Sequence, residues 1–170
     1  MIKGKVYAVI LSLKPGTYKG IIIMIKEIKH KNKLLAIVVP CNYKDKGIRF
    51  FTPDNFSQQL AYMNRPAGYR IDSHVHNEVR REVFYTQEVL LVRKGKLKVD
   101  FYDDEQQYLE SIILKTGDVI LLASGGHGFE MLEDTEMIEI KQGPYSGDED
   151  KTRFDGVAPD QIIITTGEFP

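Results

Sequence analysis

The order of apolar and polar residues along the chain predicts short β-strands throughout. Segments rich in Val, Ile, Phe and Tyr recur at short intervals, and the spacing typical of an amphipathic helix is hard to find. Turn residues such as Lys14-Pro15-Gly16 and Thr116-Gly117-Asp118 separate them. The predicted strands are Val6–Leu13, Ile21–Ile28, Leu34–Val39, Ile48–Phe51, Gln59–Asn64, Tyr69–His76, Val83–Val92, Lys96–Tyr102, Tyr108–Leu114, Val119–Leu122, Gly128–Leu132, Met137–Lys141 and Ile162–Thr165, with one helical turn at Thr52–Asn55. Such a pattern favours an antiparallel sandwich or barrel.

Composition narrows the classes of function. The 170 residues suggest one domain with a substantial core. The net charge is −1 with both signs interspersed, so we expect no nucleic-acid partner. The apolar runs Val6–Leu11 and Ile21–Ile25 are short and broken by lysines, so we expect neither a signal segment nor a membrane span. The single cysteine, Cys41, cannot form an internal disulfide, which fits a cytoplasmic protein.

Three histidines and one carboxylate carry the candidate chemistry. Residues two apart on a strand point the same way, so His74 and His76 would present two imidazoles to one side. In the next predicted strand, Glu88 shares a face with apolar residues, where a carboxylate needs a charged partner. His127 follows two glycines, which let the backbone crowd a site. Together the four residues predict a site for one divalent transition metal: Fe, Mn, Ni, Cu, Co or Zn.

These residues give the chain a resemblance to the cupin family. The first motif of that family is a glycine, five residues, His-X-His, three or four residues, a glutamate, six residues and a glycine. Here Gly68 stands five residues before His74, and Glu88 stands six residues before Gly95. The second motif is followed in part over 117–131, where glycines frame His127 but Ala123 and Met131 replace the family's proline and asparagine.

The resemblance implies a fold and an assembly. The fold would be a double-stranded β-helix, the all-β jelly roll of the cupins, with residues 58–143 as its core. Residues 1–57 would add N-terminal strands to it, and residues 144–170 would form a polar tail. The two motifs would make facing hairpins that bring the four metal ligands together. Because cupin-like proteins are often dimeric and the apolar N-terminal strands need covering, we expect a homodimer.

The candidate catalytic residues lie among the eleven residues, 77–87, that separate the His-X-His pair from Glu88. This spacing implies a lengthened hairpin or bulge and leaves Glu78 and Glu82 as rival metal ligands. Glu82 is the candidate base if the hairpin folds over the mouth of the barrel, with Glu78 as the alternative. Arg81 would grip an anionic end of the substrate, with Arg65 and Arg70 as alternatives. A solvated tip with ion pairs is the plainer interpretation of these charges.

Three functions remain open from the sequence. One is a metal-dependent enzyme that oxygenates a small polar molecule or isomerises a sugar or keto acid. Another is a non-catalytic cupin that binds a small ligand. The third is a metal-free sugar-nucleotide epimerase or ketoisomerase of the related barrel type, with a histidine base and a tyrosine acid. All three functions imply a small-molecule ligand, and the fold alone does not distinguish among them.

Overall fold

The computed structural model describes residues 24–165, and within them ten β-strands and no α-helix are present. The strands are β1 Lys26–His30, β2 Lys33–Val39, β3 Gly47–Phe50, β4 Ala61–Asn64, β5 Glu88–Lys94, β6 Lys96–Tyr102, β7 Tyr108–Lys115, β8 Val119–Leu122, β9 Gly126–Met131 and β10 Glu136–Lys141. Two short 3-10 helices follow, at Gly147–Asp150 and Pro159–Gln161. The all-β prediction is confirmed. No helix in this part of the chain is long and apolar enough to cross a membrane.

Three antiparallel sheets make up the described fold. The first has five strands in the order β1-β2-β8-β5-β10, the second has three in the order β7-β6-β9, and β3 pairs with β4. The two larger sheets pack face to face. One buried apolar cluster contains Leu90 and Ile120 of the first sheet together with Val99 and Phe101 of the second. Within residues 24–165 the hydrogen-bonded strand order leaves all three sheets open, so the architecture is a sandwich.

The outer face of the five-stranded sheet carries a second apolar cluster. Ile37, Val89 and Leu121 alternate along their strands with the residues of the main core and therefore point away from the three-stranded sheet. Phe51 and Leu60, which begin and end the loop between β3 and β4, pack against them. Strand β2 lies between β1 and β8. Strands β1 and β2, from the predicted N-terminal extension, are therefore part of the sandwich itself.

The predicted strands agree with the structure best in its second half. Strands β6 and β8 have the predicted bounds, β7 and β10 differ by one residue at one end, and β9 begins two residues and ends one residue earlier than predicted. The predicted strand at residues 6–13 lies outside the described residues. Thr52–Asn55 forms a turn, in which Phe56 N donates to Pro53 O at 3.0 Å, and Ile164 makes a single parallel bridge to Ser111. The homodimer stays a prediction.

The predicted strand Tyr69–His76 is wrong, and the predicted strand Val83–Val92 begins only at Glu88. Residues 65–87 contain no strand, and their side chains up to Thr86 are exposed. Alternation of apolar and polar residues fixes which way side chains point only after the backbone has a partner strand to pair with. Residues 65–87 pair with no strand in the described fold, so no hairpin forms there.

Gln87 ends this stretch with a set of hydrogen bonds. Its buried side chain accepts from Gln58 N at 3.3 Å and donates to Ala123 O at 3.4 Å. Its backbone N donates to Gln142 Oε1 at 2.6 Å. The chain is thus fixed immediately before β5 begins.

A buried polar network crosses the outer face of the three-stranded sheet. Lys98 Nζ lies 2.7 Å from Glu130 Oε2 and 3.5 Å from Asp100 Oδ1. Burial alone would lower the pKa of Lys98, but these two carboxylates raise it. Asp100 also accepts a hydrogen bond from the buried Ser111 hydroxyl, which is bonded in turn to Tyr108. The network ties β6, β7 and β9 together.

Removing the cation from this network should destabilise the fold. We expect Lys98→Ala to cost about 3 kcal/mol in the free energy of unfolding, because Asp100 stays buried without its cation. Lys96→Ala is the matched control, since Lys96 lies on the same strand and pairs with Glu133 in an exposed position. Its cost should stay below about 1 kcal/mol. Urea denaturation of both variants measures this, and equal costs would contradict the assignment.

Candidate functional site

Glu88 and His127 meet across the sandwich. Glu88 begins β5 in the five-stranded sheet, and His127 lies in β9 of the three-stranded sheet. Glu88 shares a face with the core residues Leu90 and Val92, as predicted, and His127 lies opposite the core residue Phe101. Both side chains therefore point between the two sheets. His127 Nε2 lies 3.2 Å from Glu88 Oε2.

The charges around Glu88 favour its ionised form. The hydrogen bond with His127 lowers the pKa of the Glu88 carboxyl, burial opposes this, and the positive charges of His127, Lys141 and Lys151 add to the lowering. Lys141 Nζ lies 3.9 Å from Glu88 Oε1. In the neutral tautomer that carries its proton on Nε2, the ring of His127 donates to the carboxylate and Nδ1 is left with the lone pair.

The pair lines a pocket of about 510 Å³. One wall is the turn at 124–128, and a second is the tail segment 150–156. The tail is fixed there by Phe154, whose ring lies 5.0 Å from that of Tyr102, and by Val157 N, which donates to the Tyr102 hydroxyl at 3.0 Å. Tyr85 and Thr86 form the third wall, where the Thr86 hydroxyl donates to Asp150 Oδ1 at 2.7 Å.

The turn before His127 requires glycine. Gly125 has a φ of +73°, and a Cβ there would lie 2.7 Å from the carbonyl oxygen of Tyr102. A Cβ at Gly126 would lie 3.0 Å from the Phe154 ring. The two glycines thus let β9 start close to Tyr102 and the tail, which places His127 at the pocket wall.

His74 and His76 do not join Glu88 and His127. Both are exposed in the stretch 65–87, with their ring centroids 5.3 Å apart, and His74 Nδ1 lies 2.9 Å from the carbonyl oxygen of Asp72. Among the described residues, no group of three or more His, Cys, Asp or Glu is placed to hold a metal ion. As placed, the residues do not fit the four-ligand site. The expected facing hairpins, which were to bring the four together, are absent from the described fold.

The predicted catalytic residues also lie apart from the pair. Glu82 is exposed and pairs with Arg80 at 3.2 Å, and the Arg81 side chain donates to Val79 O at 3.4 Å. Neither lines the Glu88–His127 pocket within the described chain. The same holds for Glu78, Arg65 and Arg70. Their catalytic roles stay predictions.

Sequence reasoning missed the cations of the tail. Lys151 and Arg153 line the pocket, and Lys141 lies next to Glu88. Alternation of Lys151 and Arg153 in a polar segment is visible in the sequence. The spacing of Lys151 and Arg153 does not connect them with His127, because they share its pocket only through the way the tail packs on Tyr102.

The backbone at Gly125 gives a direct test of the site's construction. We expect Gly125→Ala to destabilise the protein by about 3 kcal/mol, because the added Cβ meets both a strained φ and the Tyr102 carbonyl. Gly147→Ala is the control: Gly147 has a φ of +70°, but a Cβ there has open space, so about 1 kcal/mol is expected. Thermal and urea unfolding measure both. A cost for Gly125→Ala no larger than that of the control would contradict the close approach.

Comparison with known proteins identifies no relative of this chain. No protein-family model matches the chain, and no curated protein or solved structure matches it at a significant level.

Proposed function

We propose that the chain is a cupin-like enzyme that transfers protons on a small polar metabolite, as in the isomerisation of a sugar or keto acid. The observation that carries the proposal is the 3.2 Å contact of His127 and Glu88 at the wall of a pocket of about 510 Å³. A carboxylate that orients a histidine ring beside open volume is an arrangement suited to a general base. The pocket volume suits a small metabolite.

The cupin jelly roll is part of this proposal. Two antiparallel sheets packed around one core support it. Two glycines of the motifs also take the positive φ that turns demand, Gly95 at +86° and Gly117 at +89°. Glu88 and His127 hold the positions that the two motifs give to metal or catalytic residues, and they face each other between the sheets.

The chain's own residues supply a complete proton transfer. His127 Nδ1 takes a proton from the carbon next to a substrate carbonyl, while Glu88 holds the ring through Nε2 and balances the charge that it gains. Tyr85 lines the same pocket and is exposed, so its hydroxyl is the candidate acid for the carbonyl oxygen. Nδ1 then returns its proton to the former carbonyl carbon, and Tyr85 regains a proton from the neighbouring hydroxyl, so both residues end as they began. Lys151 and Arg153 stabilise the negative charge that develops on the substrate.

Removal of the base should abolish proton exchange. We expect His127→Gln to lower the rate at which a substrate C–H exchanges with deuterium by about 100-fold or more, since general bases contribute rate factors of this size. The measurement is NMR of a panel of keto acids and sugar phosphates in D2O. Glu88→Gln should reduce the rate in the same direction, because the ring loses its ionised partner.

His30→Gln is the control for this experiment. His30 also lies beside a carboxylate, with Nε2 3.9 Å from Asp103 Oδ2, but it does not line the Glu88–His127 pocket. Its substitution should leave exchange unchanged. Exchange that survives in His127→Gln would refute the proposed base. Tight binding of a panel compound without any exchange would favour the non-catalytic ligand-binding function instead.

A metal-dependent form of the same enzyme is the second candidate, and one observation favours it. His74 and His76 lie with their rings 5.3 Å apart, and the stretch that carries them reaches the Glu88–His127 pocket at Tyr85 and Thr86. This candidate requires residues 65–84 to rearrange so that the two imidazoles reach Glu88 and His127. Metal binding commonly supplies the free energy for such ordering.

Elemental analysis of protein purified without added metal tests this candidate. One transition metal per chain is expected, with loss of most of it in His76→Ala and in Glu88→Gln, because each removes a ligand. His30→Ala should keep the metal. Protein without metal, or full metal content in His76→Ala, would refute the metal-dependent form. Release by Glu82→Gln but not by Glu88→Gln would identify Glu82 as the carboxylate ligand.

A further inference from the structure

We infer that a second cleft beside the Glu88–His127 pocket binds a planar aromatic ring of the ligand, an inference whose link to catalysis rests on the proposed function. This aromatic cleft has a volume of about 880 Å³ and lies between β1, β2, the turn at 51–57 and residues 82–87. Tyr85 and Ser124 line both the cleft and the pocket. One ligand can therefore extend from the reactive pair into the cleft.

Aromatic side chains form the walls of the cleft. Phe51 and Phe56 are held by the outer apolar cluster of the five-stranded sheet, so their positions are fixed. Phe84 and Tyr85 line the cleft from the irregular stretch, residues 65–87, and 83% and 73% of their surfaces are exposed. Large exposed aromatic surfaces concentrated in one cleft mark a binding site, since a ligand ring stacked on them removes apolar area from water.

Polar groups at the cleft indicate what kind of ring fits. Asn32 and Asn55 line it, and their amides provide both donors and acceptors. Charges of both signs are present as well, including Lys33, whose Nζ lies 5.8 Å from the Tyr85 ring centroid, and Glu82. Mixed charge gives no strong preference for an ion. The cleft therefore suits an uncharged ring that carries hydrogen-bonding groups, either an aryl amide or a heteroaromatic base.

Ligand-observed NMR on the full chain tests the subsite with defined probes. Benzamide and adenosine supply planar rings with hydrogen-bonding groups. Ribose supplies the sugar hydroxyls of adenosine without an aromatic ring. We expect saturation transfer to benzamide or adenosine and none to ribose. Failure of both ring compounds to bind at millimolar concentration, or equal binding of ribose, would overturn the inference.

Two matched substitutions locate the binding. Phe84→Ala should weaken binding of the ring probe by about fivefold or more, because a stacking surface is lost. Phe50→Ala is the control, since Phe50 is also an exposed phenylalanine but lies outside the cleft. Both variants should unfold at the wild-type temperature. Unchanged binding in Phe84→Ala would overturn the subsite.

A third variant separates the subsite from the proposed reaction. His127→Gln should keep ring binding, because His127 lines only the neighbouring pocket. Ring binding by the wild-type protein without exchange of any substrate proton would refute the proposed function and leave the subsite standing. Loss of ring binding in His127→Gln would show that the ring lies in the Glu88–His127 pocket, and the inference would be wrong.

Discussion

The packing of the five-stranded sheet against the three-stranded sheet determines where every other part of the described fold lies. Leu90, Val92 and Ile120 on one side meet Leu97, Val99 and Phe101 on the other, and all six are almost fully buried. Burial of each such side chain contributes about 1.5 to 3 kcal/mol, far more than any exposed ion pair of this protein. The tail, the β3–β4 hairpin and the irregular stretch are arranged on a scaffold that this contact holds together.

The same contact explains why a glutamate and a histidine share a site. Alternation along β5 and β9 turns both residues toward the space between the sheets, at the end where the apolar rows stop. A carboxylate at this depth is costly without a partner, and here His127 and Lys141 offset the cost. Because both residues stand on paired strands, the backbone sets their relative geometry.

The sequence predicted the all-β scaffold, and two of its four candidate ligands, Glu88 and His127, lie together, for identifiable physical reasons. Strand β6 alternates apolar and polar residues, β8 is a short apolar run, and each has a neighbour on both sides, so pattern and structure agree. The sequence identified Glu88 because apolar residues on the same face of its strand indicate that its side chain points toward the core. His74-Val75-His76 shows the same alternation but pairs with no strand, so the expected shared face did not form there. Tertiary pairing, which the sequence does not display, separates the two cases.

The anchoring of Gln87 has a consequence for how such a protein can diversify. Residues 65–86 leave the sheets after β4, and the Gln87 amide, held by Gln58 and Ala123, restores the chain to register before β5. Residues 65–86 pair with no strand of the described fold, so a change in their length or composition leaves the strand pairing of the sheets unchanged. Selection is thus free to change this stretch by insertion, deletion or exchange, and a laboratory can graft foreign sequences at the same place without altering the strand pairing of the sheets.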